Sequence, residues 1–193
     1  MKKIETKEHI EKRNKRNHLL IGIILVGLMV LSTGGYAIMN NESGGTSFIK
    51  YNDIKFYNQN GYWIFNYDGQ QFSTEYNPEQ TKNIVFRISA NLAKYNQKVL
   101  YFVTESGQPN NEIYKNLYVF IKKYNMACLD NQTCNGDFPI KNCSTDNIII
   151  VKIPGKNETE GIFQDQNCIF IRAYENNQTK FADAFLFNIL GIE

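Results

Sequence analysis

The sequence predicts a mixed α/β domain that follows a single N-terminal transmembrane helix. Three features support this prediction. Residues 18–39 contain no Lys, Arg, Asp or Glu. Residues 48–89 alternate apolar and polar side chains between turn signals, which predicts an antiparallel meander. Beyond residue 97, continuous apolar strands alternate with helical segments, which predicts a mixed sheet packed against two main helices.

The uncharged segment 18–39 has 22 residues. As a helix it would be about 33 Å long and would cross a hydrocarbon core of about 30 Å. Its most apolar part, 19–31, also suits the central region of a cleavable signal peptide. The long basic region before the segment, and its uncharged continuation to Met39, favour a retained anchor over a cleaved peptide. Both alternatives stay open at this point.

The distribution of charge predicts the orientation of the anchor. Residues 1–17 carry seven basic and three acidic side chains, whereas the net charge of the whole chain is +2. Positively charged flanks stay in the cytoplasm. We therefore expect a cytoplasmic tail at 1–17, a linker at 40–47 and an extracytoplasmic domain at 48–193, held at the cell membrane. Because the basic excess lies on the tail and not on the domain, we expect no binding of nucleic acid.

The two histidines, His9 and His18, lie in the tail and at the start of the apolar segment. The predicted exterior domain therefore contains none. This excludes Ser-His-Asp triads, Cys-His pairs and catalytic zinc held by histidine. Carboxylates, Lys, Tyr and Ser are the groups left for catalysis, and we expect no cofactor and no metal.

The meander begins with one strand at 48–57 and a turn, followed by a strand at 62–67. Asp68-Gly69 predicts a type I′ hairpin turn, and the next strand pairs back at 70–75. This order of short strands and tight turns is typical of an antiparallel sheet.

A short helix follows the meander. Asn77 is its predicted N-cap, Pro78 its first residue and Gln80 the partner in a capping box. The helix is short because residues 84–89 have the β-branched, alternating pattern of a strand.

The second half alternates strands and helices. An apolar strand is expected at 99–103 and another at 148–153. Between them, residues 111–124 predict a helix, since their apolar side chains recur with the helical period of 3.6. The strand–helix–strand order predicts a parallel crossover.

The last elements are a small strand at 161–164, a strand at 168–174 and a helix at 179–190. Thr179 is the expected N-cap of that helix, and Gly191 the left-handed residue that ends it. The helix is apolar almost all round, so we expect it to be buried against the sheet.

Four cysteines lie in the exterior domain with gaps of 5, 8 and 24 residues. No zinc knuckle or C-x-x-C motif is present, so we expect two disulfides, and three pairings are open. A bridge to Cys168 needs Cα atoms within about 7 Å. The strand at 168 should then run parallel to the strand at 148. The four residues are Cys128, Cys134, Cys143 and Cys168.

A family resemblance rests on two stretches of the second half, AC…C…FPIKNC…DNIIIVK…NCIFI and ADAFLFNILGI, and on YNDIKF…GYWIF…YNP in the first half. The chain resembles a group of single-pass envelope proteins from small-genome archaea over residues 48–193. No activity is assigned to that group. The resemblance therefore implies a location and a fold but no reaction.

Two places are candidate sites. A polar loop of Thr104, Glu105, Ser106 and Gly107 follows a buried strand and precedes a helix, where open α/β sheets bind ligands; a plain connecting loop is the alternative. Asp183 lies inside the apolar last helix and needs a partner. We expect a structural ion pair of Asp183 with Arg87 or Arg172, and a catalytic carboxylate is the alternative.

Five N-x-S/T sequons are consistent with a glycosylated outer face. We expect Asn142 to be blocked, since it adjoins Cys143. The other four are Asn41, Asn131, Asn157 and Asn177.

The absence of catalytic motifs favours a non-enzymatic envelope module that binds a partner or contributes to surface architecture. Its expected partners are the lipid bilayer, through residues 18–39, and an envelope protein or glycan. The alternative is an envelope hydrolase that uses paired carboxylates, whose separation cannot be read from sequence.

Overall fold

The computed structural model describes residues 15–29, 47–104, 107–130 and 136–192. The chain divides into two compact units, residues 1–46 and 47–193. In the first unit, residues 15–29 form helix α1. Among the residues described, no helix combines the length and the hydropathy that crossing a membrane requires. Residues 30–39 of the predicted anchor lie outside the described residues.

The second unit begins with the predicted meander. Its strands are β1 (Phe48–Tyr51), β2 (Ile54–Gln59), β3 (Tyr62–Tyr67) and β4 (Gln70–Thr74), each antiparallel to the next. The boundaries of β3 agree with the prediction. Asp68 and Gly69 have φ angles of 48° and 74°, which is the left-handed geometry of a type I′ turn.

The prediction of one strand at 48–57 was wrong. Asn52 and Asp53 both have positive φ angles, 45° and 64°, so the chain turns back there and forms two strands. Asn and Asp tolerate the left-handed conformation better than other non-glycine residues. The pair was therefore a turn signal of the same kind as Asp68-Gly69.

Helix α2 (Pro78–Thr81) has the predicted capping box. The Asn77 side chain accepts a hydrogen bond from the Gln80 amide, and the Gln80 side chain accepts one from the Asn77 amide, at 3.1 and 2.9 Å. The strand predicted at 84–89 is shorter than expected, since only β5 (Phe86–Arg87) pairs.

The second half forms a six-stranded mixed sheet against two helices, α3 (Gly107–Leu117) and α4 (Gln178–Leu190). Besides β5, its strands are β6 (Val99–Thr104), β7 (Lys123–Met126), β10 (Asn147–Lys152), β11 (Gly161–Asp165) and β12 (Cys168–Arg172). The strand order is β5-β11-β12-β10-β6-β7, and β11 is antiparallel to β12. Strands β12, β10, β6 and β7 are parallel, as the crossover prediction required.

Short elements complete the unit. Strands β8 (Cys128–Leu129) and β9 (Ile140–Lys141) form a small parallel pair. Two 3₁₀ helices, Leu92–Lys94 and Glu175–Asn177, precede β6 and α4.

The helix predicted at 111–124 is placed wrongly at both ends. Helix α3 begins at Gly107 and ends at Leu117, and Tyr124 lies in strand β7. Phe120 and Ile121 lie in the turn between them and still contact the core. The apolar period therefore continued past the helix because the following turn and strand bury residues in the same core.

Helix α4 ends as predicted and begins differently. The chain reaches Gly191 with φ 73°, and the Ile192 amide donates to the Phe187 carbonyl at 2.9 Å, a Schellman ending. Thr179 is not the N-cap; it lies in the first turn of the helix after Asn177. Eleven of the 13 residues of α4 are buried, which confirms the expected burial.

Three apolar clusters stabilise the second unit. The largest lies between the sheet and helices α3 and α4 and includes the fully buried Phe102 and Phe185. A second joins the meander to the end of α4, where Phe187 contacts the meander phenylalanines. A third, around Ile148, covers part of the other face of the sheet.

Candidate functional site

The predicted ligand loop begins at the carboxyl edge of the parallel strands. Thr104 ends β6, Gly107 begins α3, and Glu105 and Ser106 lie outside the described residues. From β6 the chain passes to its neighbour β7, and later returns to β10 on the other side of β6. Such a reversal of direction is where open α/β sheets bind ligands. The loop therefore begins at a topological switch point, and its role in ligand binding stays a prediction.

The neighbouring loop after β10 is fixed by an ion cluster. Glu158 lies 3.0 Å from the Lys152 ammonium and 3.2 Å from the Arg172 guanidinium. The Gly155 amide and Lys152 lower the pKa of Glu158, since both stabilise its charged form. The Arg172 guanidinium also lies 4.6 Å from the centre of the Phe163 ring. These contacts hold the loop against the sheet edge.

Asp183 does not pair with an arginine, which corrects the prediction. Within the described part of the chain, Arg172 pairs with Glu158, and Arg87 lies over the Phe163 ring. Asp183 Oδ2 instead accepts hydrogen bonds from the backbone amides of Glu75 and Tyr76, at 3.0 and 2.9 Å. The carboxylate therefore connects α4 to the backbone that follows β4.

A second carboxyl group, Glu112 of α3, lies beside Asp183. Burial raises the pKa of Asp183 well above its usual value, and the Glu112 charge raises it further. Glu112 is itself 4% exposed and pairs with Lys115 at 2.8 Å. Sequence reasoning missed Glu112 because the helix was predicted to begin at residue 111, and a carboxylate in the first turn of a helix is typically solvated and stabilised by the helix dipole. In α3 the helix begins at Gly107, and Glu112 lies beyond its first turn.

This carboxyl pair does not have the surroundings of a catalytic pair. Asp183 is fully buried, so a substrate cannot reach it. A cleft of about 240 Å³ lies elsewhere, where α2 and the start of α4 come together. Among its described lining residues, Glu160 is the one carboxylate; the lining is Gln80, Asn83, Ile84, Val85, Glu160, Asn177, Lys180 and Phe181.

The disulfide prediction is confirmed for one pair. Cys143 and Cys168 are bonded, with Cα atoms 5.0 Å apart. Cys168 begins β12, which runs parallel to β10, as the bridge required. Cys128 is also disulfide-bonded, and Cys134 lies outside the described residues.

The sequons differ in accessibility. Asn157 is exposed, and Asn41 and Asn131 lie outside the described residues. Asn177 is half-buried, and its side-chain amide donates to Glu160 at 3.2 Å. The Asn142 side-chain oxygen accepts bonds from the loop that contains the disulfide. Among the described sequons, Asn157 therefore presents the most accessible amide.

Comparisons of the chain with models of protein families, with curated proteins and with solved structures found no significant match. The resemblance to archaeal envelope proteins therefore stays a prediction. Among the described residues, no group of His, Cys, Asp or Glu side chains is arranged to hold a metal ion.

Proposed function

We propose that the protein is a non-enzymatic, extracytoplasmic module of the cell envelope, anchored by residues 18–39. The observation that supports this proposal most directly is the disulfide between Cys143 and Cys168. Disulfides form and persist in oxidising compartments and are rare in the cytosol. A chain whose described cysteines are all bonded suits a location outside the cytoplasmic membrane.

The surface of α1 supports the membrane anchor. Its apolar side chains between Leu19 and Met29 are 51–72% exposed. Exposed apolar area of this extent is unfavourable in water and is typical of a surface that meets lipid or another protein. The basic residues of 1–17 precede it, which favours a cytoplasmic N-terminus.

The buried pair of Asp183 and Glu112 does not suit the catalytic role that the alternative of an envelope hydrolase requires. Such an enzyme needs two carboxylates on opposite sides of a bound substrate. Asp183 and Glu112 are 0% and 4% exposed. Backbone amides donate hydrogen bonds to Asp183, and Lys115 forms an ion pair with Glu112. The pair therefore suits a structural role between α3, α4 and β4.

Protease accessibility and thiol labelling of the full chain in intact cells test this proposal. We expect external protease to degrade the folded unit and spare the tail, and a thiol reagent to label the cysteines only after reduction. The matched control is the variant with Lys12, Arg13, Lys15 and Arg16 changed to Gln, in which the topology signal is weakened. Free thiols, together with protection from external protease, would overturn the proposal.

The mass of the mature chain distinguishes a retained anchor from a cleaved signal peptide. A retained anchor gives a mass that includes residues 1–39, whereas a cleaved signal peptide removes them. Membrane association that persists in high salt and carbonate is expected only for the retained anchor.

A further inference from the structure

Four lysines gather at the amino edge of the parallel strands, on two adjacent turns. Lys94 and Lys98 lie before β6, and Lys122 and Lys123 lie at the start of β7. The Lys122 amide donates to the Lys98 carbonyl at 2.9 Å, and Lys123 lies opposite Val99 in the sheet. We call these four lysines the basic edge.

The basic edge lacks neutralising partners in the described part of the chain. None of its ammonium groups forms an ion pair there. Lys94 donates to the Gln166 carbonyl at 3.1 Å, and Asp165 is exposed on that adjoining turn. Burial lowers the pKa of Lys94, and the nearby Lys98 charge lowers it further. Lysines on adjacent turns that have no acidic ion-pair partner favour an anionic partner.

Exposed apolar side chains occur in the turn and strand that carry Lys122 and Lys123. In the same turn and strand, Tyr118, Val119 and Tyr124 are 59%, 44% and 43% exposed. The Tyr124 ring packs 4.0 Å from the Tyr114 ring, between centroids, so it is held in place at the surface. Tyrosine and lysine together are typical of surfaces at the membrane interface, where the ring enters the headgroup layer and the ammonium group meets anionic lipid.

The length of the linker brings a membrane within reach. Residues 40–47 can span at most about 28 Å, so an anchored domain stays close to the bilayer. The chain enters the domain at β1, and the meander core contains Leu92 and Phe120. These two residues belong to the turns that carry the basic edge. The entry sheet and the basic edge are thus neighbours within the folded unit.

We propose that the basic edge, with Tyr118 and Tyr124, docks on anionic lipid headgroups of the membrane in which the chain is anchored. This rests on the proposed function, because the anchor supplies the high local concentration of lipid that a few lysines require. The lysines lie on exposed turns, whereas the cleft described above lies elsewhere, at Gln80 and Lys180; exposed turns suit a headgroup surface.

Lysine acetylation of the full chain in lipid nanodiscs tests this proposal. The discs contain phosphatidylcholine alone or mixed with phosphatidylglycerol, and mass spectrometry follows the reaction at each lysine. We expect the lysines of the basic edge to react about fivefold more slowly in the anionic discs than in the neutral discs. This factor corresponds to the free energy by which one lysine is attracted to an anionic surface. Lys156 is exposed and follows β10, at the carboxyl edge of the parallel strands. It should therefore react at the same rate in both kinds of disc. High salt should remove the difference.

Two matched variants sharpen the test. Lys98→Gln/Lys122→Gln should abolish the protection of Lys94 and Lys123, whereas Lys82→Gln/Lys156→Gln should leave it intact. Equal acetylation in both lipids, with the chain incorporated, would overturn the docking surface and leave the anchor standing. Protection of equal size in neutral discs would indicate a protein contact and would also overturn it. A chain that enters neither disc would refute the anchor, and the docking proposal with it.

Discussion

The two sheets of the folded unit differ in how far apart their paired strands lie along the chain. In the meander, every strand pairs with the next one, so two-residue turns set the register. In the larger sheet, β10 pairs with β6 and β12, and β5 pairs with β11. Turn chemistry therefore determines the first sheet. In the second sheet a two-residue turn joins β11 to β12, but its other pairs depend on contacts between distant segments.

Although local turns set the register of the meander, its stability depends on contacts with the helices. Its phenylalanines complete their packing on Phe187 of α4, whose ring centre lies 5.9 Å from that of Phe56. Hydrogen bonds also join the meander to the helices. The Asn116 side chain of α3 accepts from the Ser73 amide and donates to the Ser73 carbonyl, and Asp183 of α4 accepts from the backbone amides after β4. The sheet that is easiest to predict thus depends on the helices for its stability.

The largest expected effect comes from removing this shared packing. Phe187→Ala should lower the free energy of unfolding by about 3–5 kcal/mol, the usual cost of truncating a buried phenylalanine. Urea denaturation can follow it with Trp63 fluorescence, which reports on the meander, and with circular dichroism, which reports on the helices. We expect the two transitions to coincide in the wild type, because the second apolar cluster joins the meander to helix α4.

Tyr174→Ala is the control for this prediction. Tyr174 is 55% exposed, so its loss should change stability by about 0.5 kcal/mol or less. A Trp63 transition that clearly precedes the circular-dichroism transition in the wild type would contradict the dependence of the meander on α4.

The sequence predicted most local features and also the parallel arrangement of β10 and β12, but it missed the turn at Asn52-Asp53 and the contacts that form only in the folded core. The capping box at Asn77 and the turn at Asp68-Gly69 depend on residues three or fewer positions apart, and both were predicted correctly. The end of α3 was missed because apolar residues of the turn and of β7 face the same core. The partners of Asp183 are a distant carboxyl and two backbone amides, and no sequence pattern indicates them.

The second prediction concerns the distant pairing of β10 and β12. The Cys143→Ser/Cys168→Ser variant opens a loop of sequence separation 25, and the loss of this constraint on the unfolded chain should cost about 3 kcal/mol. Urea denaturation measures the change. Ser144→Ala, at an exposed neighbour of the bridge, is the control and should have little effect. A double variant as stable as the wild type would show that packing alone holds these strands together.

The third prediction separates the charge of Asp183 from its hydrogen bonds. Asp183→Leu should lower the free energy of unfolding by about 1–3 kcal/mol, since two amides lose their acceptor. Asp183→Asn keeps an acceptor oxygen for those amides and removes the ionisable group. It should be more stable than Asp183→Leu at every pH.

The raised pKa of Asp183 determines how its contribution to the free energy of unfolding changes with pH. The pKa of Asp183 is raised in the folded state, so the folded chain retains a proton that the unfolded chain releases above about pH 4. The contribution of Asp183 is therefore present at low pH and is lost as pH rises through its folded pKa. Asp183→Asn should remove this loss. If wild type and Asp183→Asn show parallel stability profiles between acid and neutral pH, the raised pKa is wrong.

The smallest expected effect tests how far turn geometry alone determines the meander. Gly69 has φ 74° and no atom near the position of an added Cβ, so Gly69→Ala meets only the conformational cost of the left-handed region, about 1 kcal/mol. Gly107 of α3 also has open space but lacks a positive φ, and Gly107→Ala should be neutral or slightly stabilising. Urea denaturation of both variants compares a locally determined turn with a helix start, and equal effects would contradict the role assigned to the turn.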